Sequence, residues 1–585
     1  MSEDRVVDRD APRWRQLQRL GGALPGRRLE HFPTPSRRVF YSALVVLATV
    51  ILFYEFSVAG AVGPSIISRY HMTFNFYVYV AAIASVLGAV AALVGGLTDR
   101  WGRANLIAYG LVATGLLTLF GIPRSPDKWV FLVLYGLLGF LQGMILVASS
   151  ALIRDFSPQV RRAAAMGFWS LGPVLGSLIV TEVSSHTLDH LGPWQDQFTI
   201  CGIAGLIVAG VALVGLRELS PALRDQILVS SAQQAAVEAR AAGGELPAPT
   251  TRPWRQMLHL DTVGSALGIS VFLLVYYVAV GFFVVYLSTV FGFSQSQANG
   301  VTNWFWGAEG ASLLVAGVVS DRLGVRKPFV LFGAAGSIVM TVVFLSRATH
   351  PHTSYGTLVV IVALLAVGLG MVTGPWLAAF TETVERRNPA LTGTGLAVWG
   401  WVSRIVIAVS TFVLPLVVTS TTTLVDYGSR AQAISARYPT QLAVAQAVAP
   451  ATLSTLAKNP TDGPALAAAL ADVERARHVP AATAVQLLVS LKQVPAADLQ
   501  FMLRHGTEVR SALAASPRQW QRWYWVCVAG EVVFVPSIFL LAGRWRPRRR
   551  AGADGRRPVA GAAPDDAVVR RPAPVKVPGG SVVGV

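Results

Sequence analysis

Long apolar stretches, separated by short polar segments, make up most of this 585-residue sequence. Twelve of them reach the roughly 20 residues that a helix needs to cross a lipid bilayer. We call them runs 1 to 12 in chain order, and they occupy about residues 39–66, 75–97, 104–122, 129–152, 163–185, 196–217, 263–291, 301–320, 328–346, 355–380, 395–418 and 522–543. The pattern predicts an all-α polytopic membrane protein with twelve transmembrane helices.

Long polar segments divide the runs into two groups of six. The predicted parts are a tail at 1–38, a six-helix bundle at 39–217, a linker at 218–261, a second six-helix bundle at 262–419 and 520–543, an insertion at 420–519 and a tail at 544–585. The insertion separates run 11 from run 12, and its Ala-rich stretches, broken by Pro and Gly, predict several short helices. An even number of spans puts both tails on one side of the membrane and the insertion on the other.

Composition and charge favour a membrane location. Charged residues are 14% of the chain and mean hydropathy is +0.52, whereas soluble proteins carry about 25% charged residues. The tails before residue 39 and from residue 544 contribute +4 and +7 to the net charge of +18. Basic flanks mark the cytoplasmic side. We therefore expect a plasma (inner) membrane protein with both termini and the linker in the cytoplasm, an extracytoplasmic insertion, the lipid bilayer as partner and no nucleic acid.

Two further expectations concern bound groups. Cys201 and Cys527 both lie inside apolar runs, which predicts neither a disulfide framework nor a metal centre. The sequence also lacks the phosphate-binding loop of nucleotide-driven pumps. We therefore expect no metal and no cofactor.

Two loops repeat at the same place in each group of runs. The segment GGLTDRWGR (95–103) follows run 2, and GVVSDRLGVR (317–326) follows run 8. Four pairs share an offset of 222 residues, namely Gly95 and Gly317, Asp99 and Asp321, Arg100 and Arg322, and Gly102 and Gly324. The repeat predicts two pseudo-symmetric bundles, a common plan among transporters.

The loop after run 2 resembles the signature loop of the major facilitator superfamily, G-x-L-x-D-R-x-G-R, and the resemblance extends over residues 39–419 and 522–543. It implies secondary transport by alternating access to a central cavity, with no enzymatic activity. A proton gradient would drive transport, and a monomer would suit this fold.

The loop residues suit a conformational latch that closes the cytoplasmic face in one state and opens it in the other. Gly95 and Gly102 would allow a tight turn and close approach, and Asp99 would cap a helix N-terminus in the opposite half. Arg100 and Arg103 would pair with Asp155. In the second half the expected partners of Asp321, Arg322 and Arg326 are Glu382 and Glu385. The predicted latch residues are Gly95, Asp99, Arg100, Gly102, Arg103 and Asp155 in the first half, and Gly317, Asp321, Arg322, Gly324, Arg326, Glu382 and Glu385 in the second. The alternative is that these charges only mark short cytoplasmic loops.

Run 5 carries Gly172, Pro173 and Gly176, which are similar to an element of the superfamily's antiporters. We expect a proline hinge there, with glycines that pack against the other half. Phe168 and Ser177 depart from that element, so an ordinary proline-kinked helix is the alternative. In run 4, Gly139 occupies the place where proton-linked members often carry an arginine.

Four ionisable residues lie inside the runs, where each costs about 3 kcal/mol unless it faces a cavity or a partner. They are Glu55 in run 1, Glu309 in run 8, Arg404 in run 11 and Glu531 in run 12. The resemblance places the first three on cavity helices and Glu531 at the periphery. Glu55 is the first candidate for carrying a proton, and Arg404 suits an anionic substrate group or a carboxylate partner. The alternative is a structural Glu–Arg pair.

Aromatic residues accompany these charges and could hold an organic solute by stacking. The candidates are Tyr276, Tyr277, Trp304, Trp306, Trp399 and Trp401, with Asn303 as a polar contact. The alternative is that individual rings face lipid.

The sequence therefore predicts a secondary active transporter of a small organic solute, coupled to protons, whose direction stays open. One alternative is specifically a drug or metabolite efflux antiporter. Another, of a different class, is a transport-inactive receptor or assembly component that uses the insertion to bind a partner.

Overall fold

The computed structural model describes residues 27–93, 102–157, 162–191, 193–224, 226, 253–387, 391–459 and 461–546. Nearly all of the secondary structure in these segments is helical. A pair of two-residue strands, β1 (Arg28–Leu29) and β2 (Glu218–Leu219), joins the tail before run 1 to the linker after run 6 in parallel register.

The first group of runs forms eight helices: α1 (Pro35–Ala61), α2 (Gly63–Arg69), α3 (Phe74–Leu93), α4 (Arg103–Leu116), α5 (Lys128–Phe156), α6 (Arg162–Trp169), α7 (Leu171–Thr187) and α8 (Gln195–Gly215). Two of the six runs in this half are each divided into two helices by a break. Run 1 breaks at Val62, just before Gly63 and Pro64, and run 5 breaks at Ser170, three residues before Pro173. Proline is tolerated in the first turn of a helix, where no backbone donor is needed.

The second group forms α9 (Pro253–Met257), α10 (Leu260–Phe272), α11 (Leu274–Gly281), α12 (Phe283–Phe291), α13 (Gln295–Leu323), α14 (Lys327–Arg347), α15 (Tyr355–Arg387) and α16 (Thr392–Val417). Run 7 consists of α10, α11 and α12, and the first two are bent by 49°. Breaks of this kind in a membrane helix let the chain pass close to a neighbour.

The predicted insertion is helical as well. It contains α17 (Thr419–Thr423), α18 (Ser429–Arg437), α19 (Pro439–Ala447), α20 (Pro450–Lys458), α21 (Gly463–Arg477), α22 (Ala481–Ser490) and the first half of α23 (Ala496–Ser537). Short helices pack around a small core of their own, which includes Val444, Leu453 and Val473. The boundary drawn at 519 falls inside the continuous helix α23, so the insertion continues directly into run 12.

Within the described residues, nine helical segments are long and apolar enough to cross a membrane. They are Pro35–Ala61, Phe74–Ala92, Arg103–Arg124, Lys128–Phe156, Gln195–Gly215, Lys327–Arg347, Tyr355–Arg387, Thr394–Val417 and Ala496–Leu540, and the bent pair α10–α11 would be a tenth. Runs 5 and 8 are helical too, but α7 has only 17 residues and α13 begins with the polar stretch 295–303. The count of twelve spans therefore stays a prediction.

Residues 419–495 lie at one end of the molecule, which we call the insertion end. The first half has a hydrophobic core of its own, which runs through α1, α4, α5 and α8. A larger core joins the second half to the insertion-end residues of the first, among them Val58, Phe74 and Phe131. At this end Gly60 of α1 approaches run 7 so closely that an added Cβ would lie 2.4 Å from the carbonyl oxygen of Val280. The halves are thus closed together at the insertion end.

Candidate functional site

The two repeated loops lie at the opposite end of the bundle, which we call the loop end (residues 102–103 and 324–326). Gly102 and Gly324 have φ angles of +87° and +65°, a left-handed conformation that favours glycine. An added Cβ on Gly317, by contrast, would meet nothing within 4 Å. Gly95, Asp99 and Arg100, which the sequence also predicts to belong to the latch, lie outside the described residues.

Glu218 closes the first loop, and the sequence reasoning missed it. Its Oε2 accepts a hydrogen bond of 3.3 Å from the backbone N–H of Ala104, at the start of α4, and its Oε1 would be 2.4 Å from a Cβ on Gly102. A carboxylate at a helix N-terminus is stabilised by the helix dipole. The available signal was an acid directly after run 6.

The predicted ion pairs form, but they join helices of the same half. The Nη1 of Arg103 lies 2.5 Å from Oδ2 of Asp155, which ties α4 to α5. The Nε of Arg326 lies 3.2 Å from Oε1 of Glu382, and its guanidinium also contacts Asp321. In this state the two pairs brace each half at the loop end. The contact with the opposite half was predicted for Asp99, which lies outside the described residues, so the latch stays a prediction.

The remaining latch residues lie around the second loop. Glu385 and Gly324 line a cleft of about 510 Å³ with Arg326, Glu382 and Arg544. Arg322, by contrast, is exposed at the end of α13.

The difference in burial between the two pairs predicts different costs of breaking them. Arg103 and Asp155 have side chains that are 9% and 8% exposed, whereas Asp321 is 53% exposed. Breaking a buried pair costs more than breaking an exposed one, and we expect Asp155→Asn to lower stability by about 3 kcal/mol, the lower end for a buried pair. Asp321→Asn should cost less than about 0.5 kcal/mol. Thermal denaturation of the purified protein in detergent measures both, and equal losses would contradict the difference in burial.

The glycines of run 5 pack against their own half. A Cβ on Gly172 would lie 2.8 Å from Thr49, and one on Gly176 would lie 2.5 Å from the carbonyl oxygen of Val50. Both neighbours are on α1, so the expected packing of these glycines against the other half is wrong. The opposite face of α7 contacts the other half, because Val174, two residues from each glycine, is approached by Gly310 of α13.

Glu55 does not face the space between the halves. It is fully buried, and its Oε1 would be 2.0 Å from a Cβ on Gly205 of α8. Thr114 of α4 and Cys201 of α8 are its other neighbours. Neither carboxyl oxygen has a hydrogen-bond partner. The expectation that Glu55 lies in the cavity is therefore wrong, because the face of α1 that carries Glu55 packs against α4 and α8 of the first half.

Glu531 of α23 has a related environment in the second half. Its Oε1 accepts hydrogen bonds of 2.8 Å from Ser337 and 2.9 Å from Thr341, both on α14. One turn earlier lies Cys527, just as Cys201 precedes Gly205, so that both pairs share an offset of 326 residues. The two halves therefore bury a carboxyl group at corresponding places, from α1 in one half and from run 12 in the other.

Glu309 and two of the predicted aromatic residues come together in the second half. The rings of Tyr276 and Trp306 meet edge to face at 5.0 Å, and Glu309 lies beside Tyr276. Glu309 is 1% exposed, and its Oε2 has no hydrogen-bond partner. An ionised carboxylate without a partner is costly in such surroundings, which makes this a candidate for proton uptake.

Arg404 lies on the opposite side of run 7 from Glu309. Neighbouring Ser403 hydrogen-bonds to Ser270 of α10 at 2.9 Å, and Tyr277 lies beside Ser403. The Arg404 side chain is half-buried, and its Nη1 donates a long hydrogen bond of 3.5 Å to the carbonyl oxygen of Gly400. Neither Glu55 nor Glu309 forms an ion pair with Arg404, so the structural Glu–Arg pair is absent among these three residues.

The other aromatic residues divide between the interior and the surface. Trp399 meets Trp376 of α15 at 5.4 Å. Trp304 and Trp401 are 57% and 45% exposed, so they belong to the outer surface of the bundle and not to the candidate site. For these two rings the alternative of lipid contact is favoured.

Asn303 connects the two halves instead of facing a solute. Its Nδ2 donates to the carboxylate of Glu182, and its Oδ1 accepts a 3.3 Å hydrogen bond from Thr181. Both partners lie on α7, and the sequence reasoning missed Glu182, an acid close to the end of run 5.

The candidate residues of the second half therefore form two groups on either side of run 7. Tyr276, Trp306 and Glu309 form the first group, Tyr277 and Arg404 lie together in the second, and Trp399 packs against Trp376. This arrangement offers stacking surfaces, one permanent cation and one carboxyl group. Among the described residues there is no group of three or more His, Cys, Asp and Glu side chains that could hold a metal ion.

Comparison with known proteins adds a family and several relatives. The family model for the Major Facilitator Superfamily matches residues 45–411. A probable nitrate/nitrite transporter NarK2 of Mycobacterium tuberculosis is 25% identical over 355 residues, which are 60% of this chain and 82% of that protein. The multidrug resistance protein MdtL of a Shewanella species is 28% identical over 159 residues, which are 26% and 36% of the two chains. The crystal structure of a D-xylose–proton symporter, at 16% identity, matches with a TM-score of 0.52 over 65% of this chain and 90% of that one.

Proposed function

The chain belongs to the Major Facilitator Superfamily, and from this premise we propose that it is a proton-coupled secondary transporter of a small organic anion. Multi-pass helices in the membrane and carriage of a small solute are properties of the family. The anionic character of the solute and the proton coupling are our proposal. We also propose that the loop end faces the cytoplasm of the cell and that the insertion lies outside.

Arg404 is the observation that carries the anion assignment. A guanidinium group keeps its charge at any physiological pH, and placing it in a span costs about 3 kcal/mol unless something compensates the charge. Arg404 has no carboxylate partner among the described residues. An anionic solute would supply the missing charge, which agrees with the name of the nitrate/nitrite transporter relative. The ring of Tyr277, beside Ser403, favours a solute that also has an apolar part.

A flux assay in proteoliposomes tests this function. We expect an imposed pH gradient to drive accumulation of radiolabelled benzoate, an anion with an aromatic ring, but not of xylose, a neutral solute. Unlabelled nitrate should compete only weakly, because it lacks the apolar part. Accumulation of xylose without benzoate would refute the anion assignment.

Glu309 is the proposed proton carrier, and its substitution should separate transport from coupling. Glu309→Gln keeps the shape and removes the titratable group, so we expect the stimulation of transport by a pH gradient to disappear. Exchange of benzoate at equal pH on both sides should persist. Glu531→Gln is the matched control, since Glu531 is equally buried but lies between α14 and α23. If Glu531→Gln abolished the stimulation by the pH gradient and Glu309→Gln did not, Glu531 would be the coupling group.

A further inference from the structure

A large cavity lies at the insertion end, outside the candidate site. It has a volume of about 1670 Å³ and lies between the insertion and the ends of α2, α12 and α13. The roof includes Leu442 of α19 and Phe501 of α23, while Met72 and Phe291 belong to the two halves. Residues from both bundles and from the insertion thus enclose one space.

The floor of this cavity is the closed contact between the two halves. Gln295 of α13 donates a 2.7 Å hydrogen bond to Ser65 of α2, and both residues line the cavity. Asn299, one turn further into the bundle, donates a 3.0 Å hydrogen bond to the carbonyl oxygen of Ala61. A solute that crosses at this end must pass these contacts, so the cavity lies directly before the gate.

The insertion is anchored to both halves around the cavity. Thr421 accepts a 2.9 Å hydrogen bond from the indole of Trp520 in the second half. Thr422 donates a 3.0 Å hydrogen bond to Asn75 of α3 in the first half. Asp426 accepts a 3.0 Å hydrogen bond from the backbone N–H of Phe74. These contacts hold the roof in a fixed position over the gate.

The charges of the lining favour an anion. Arg69 and Arg510 line the cavity, and in the described part of the chain neither forms an ion pair. Arg430 is engaged, since it pairs with Asp498 at 3.1 Å and lies over the ring of Phe501. Among the described residues of the lining the acid is Asp426, and the histidines are His71 and His352. Arg69 and Arg510 are both exposed, and they stand beside a lining of mixed polar and apolar side chains. Two cations without acidic partners next to apolar side chains suit a carboxylate that carries an aromatic or alkyl group.

We propose that the insertion and the outer ends of both halves form an antechamber that binds an apolar carboxylate before it passes the Ser65–Gln295 gate. This site would be distinct from the one around Arg404, although its role in transport rests on the proposed function. The insertion would therefore serve in solute selection rather than in docking a protein partner.

Asp426 gives the antechamber a dependence on pH with a definite sign. Burial raises the pKa of Asp426 to about 6, and the negative charge of Glu508 adds to this, while the hydrogen bond from Phe74 opposes it. Below this pH the carboxyl group is neutral and no longer repels an anion. The contribution of Asp426 should therefore strengthen anion binding as the pH falls through about 6.

Binding of benzoate, measured by saturation-transfer NMR on the full-length protein in neutral phosphatidylcholine nanodiscs, tests the antechamber. All variants carry Arg404→Gln, so that the central site is silent. We expect Arg510→Gln to weaken apparent affinity by about fivefold, the range of one partly exposed charged hydrogen bond. Arg504→Gln is the matched control, because Arg504 lies on the same helix but does not line the cavity. Benzyl alcohol, the neutral analogue, should bind more weakly than benzoate.

The outcomes separate this proposal from the proposed function. Equal affinity of Arg510→Gln and Arg504→Gln, or no benzoate binding once Arg404 is replaced, would overturn the antechamber while leaving proton-driven benzoate transport intact. Asp426→Asn should bind benzoate about twofold more tightly than the parent at about pH 8 and equally at about pH 5. Weaker binding of Asp426→Asn at about pH 8 would also overturn it. Benzoate binding that depends on Arg510, in a protein that transports no anion, would support the antechamber and refute the transport proposal.

Discussion

Arg404→Gln is expected to lower kcat/KM for benzoate transport by about 100-fold, equivalent to about 2.7 kcal/mol. The solute's carboxylate would enter the half-buried site with no cation to replace its hydration. Arg404→Lys should recover part of the loss, because it restores the charge without the planar pair of donors. Flux of radiolabelled benzoate into proteoliposomes, over a range of concentrations, gives the values.

The absence of a carboxylate partner makes this substitution informative about function and not about folding. Removing Arg404 leaves no buried acid unpaired, so the thermal stability of Arg404→Gln in detergent should equal or exceed that of the parent. Arg347→Gln is the control, since Arg347 is an exposed arginine at the end of α14. Unimpaired transport by Arg404→Gln, or an equal loss in the control, would rule out the proposed role.

Helices could be located from the sequence because length and hydrophobicity are local properties. All twelve runs contain helix, and the repeated loops correctly indicated the pairs Arg103–Asp155 and Arg326–Glu382. The breaks in runs 1, 5 and 7 were only partly visible, since the break at Leu273 has neither Gly nor Pro beside it. There the bend depends on packing against other helices.

The direction of each side chain was harder to predict, although part of it was available. Trp304 and Trp306 are two positions apart, and an α-helix turns about 200° over that distance. They cannot both face one site, and the structure buries Trp306 while exposing Trp304. Helical geometry alone could have reduced these candidates by one.

The position of Glu55 depended on a non-local pairing that no local pattern reveals. Its carboxyl group occupies the space left by the missing side chain of Gly205, about 150 residues away in the sequence. In the second half the equivalent position is Glu531, which places its own carboxyl group there. When run 6 and run 12 are aligned on Cys201 and Cys527, Gly205 stands opposite Glu531. The alignment therefore indicates an exchange, in which the buried carboxyl group comes from run 12 in one half and from α1 in the other.

This exchange predicts that Gly205→Val is strongly destabilising. The new side chain would need the space of the Glu55 carboxyl group, which is fully buried and has no solvent into which to move. We expect a loss of about 3 kcal/mol, the upper range for overpacking a core. Gly210→Val is the control on the same helix, since a Cβ on Gly210 meets nothing within 4 Å. The stabilities of the two variants are compared by thermal denaturation in detergent, with the folded fraction measured by size-exclusion chromatography.

Shortening the opposing residue should relieve the clash. Glu55→Ala combined with Gly205→Val is expected to recover more than half of the lost stability, because the valine then fills the space that the carboxyl group leaves. The double substitution Glu55→Ala with Gly205→Glu would reproduce the arrangement of Glu531, with the acid carried by run 6. It should be more stable than Gly205→Glu alone, in which two carboxyl groups would compete for one buried space. If Glu55→Ala stabilised neither Gly205 variant, the carboxyl group of Glu55 would not occupy the position beside Gly205.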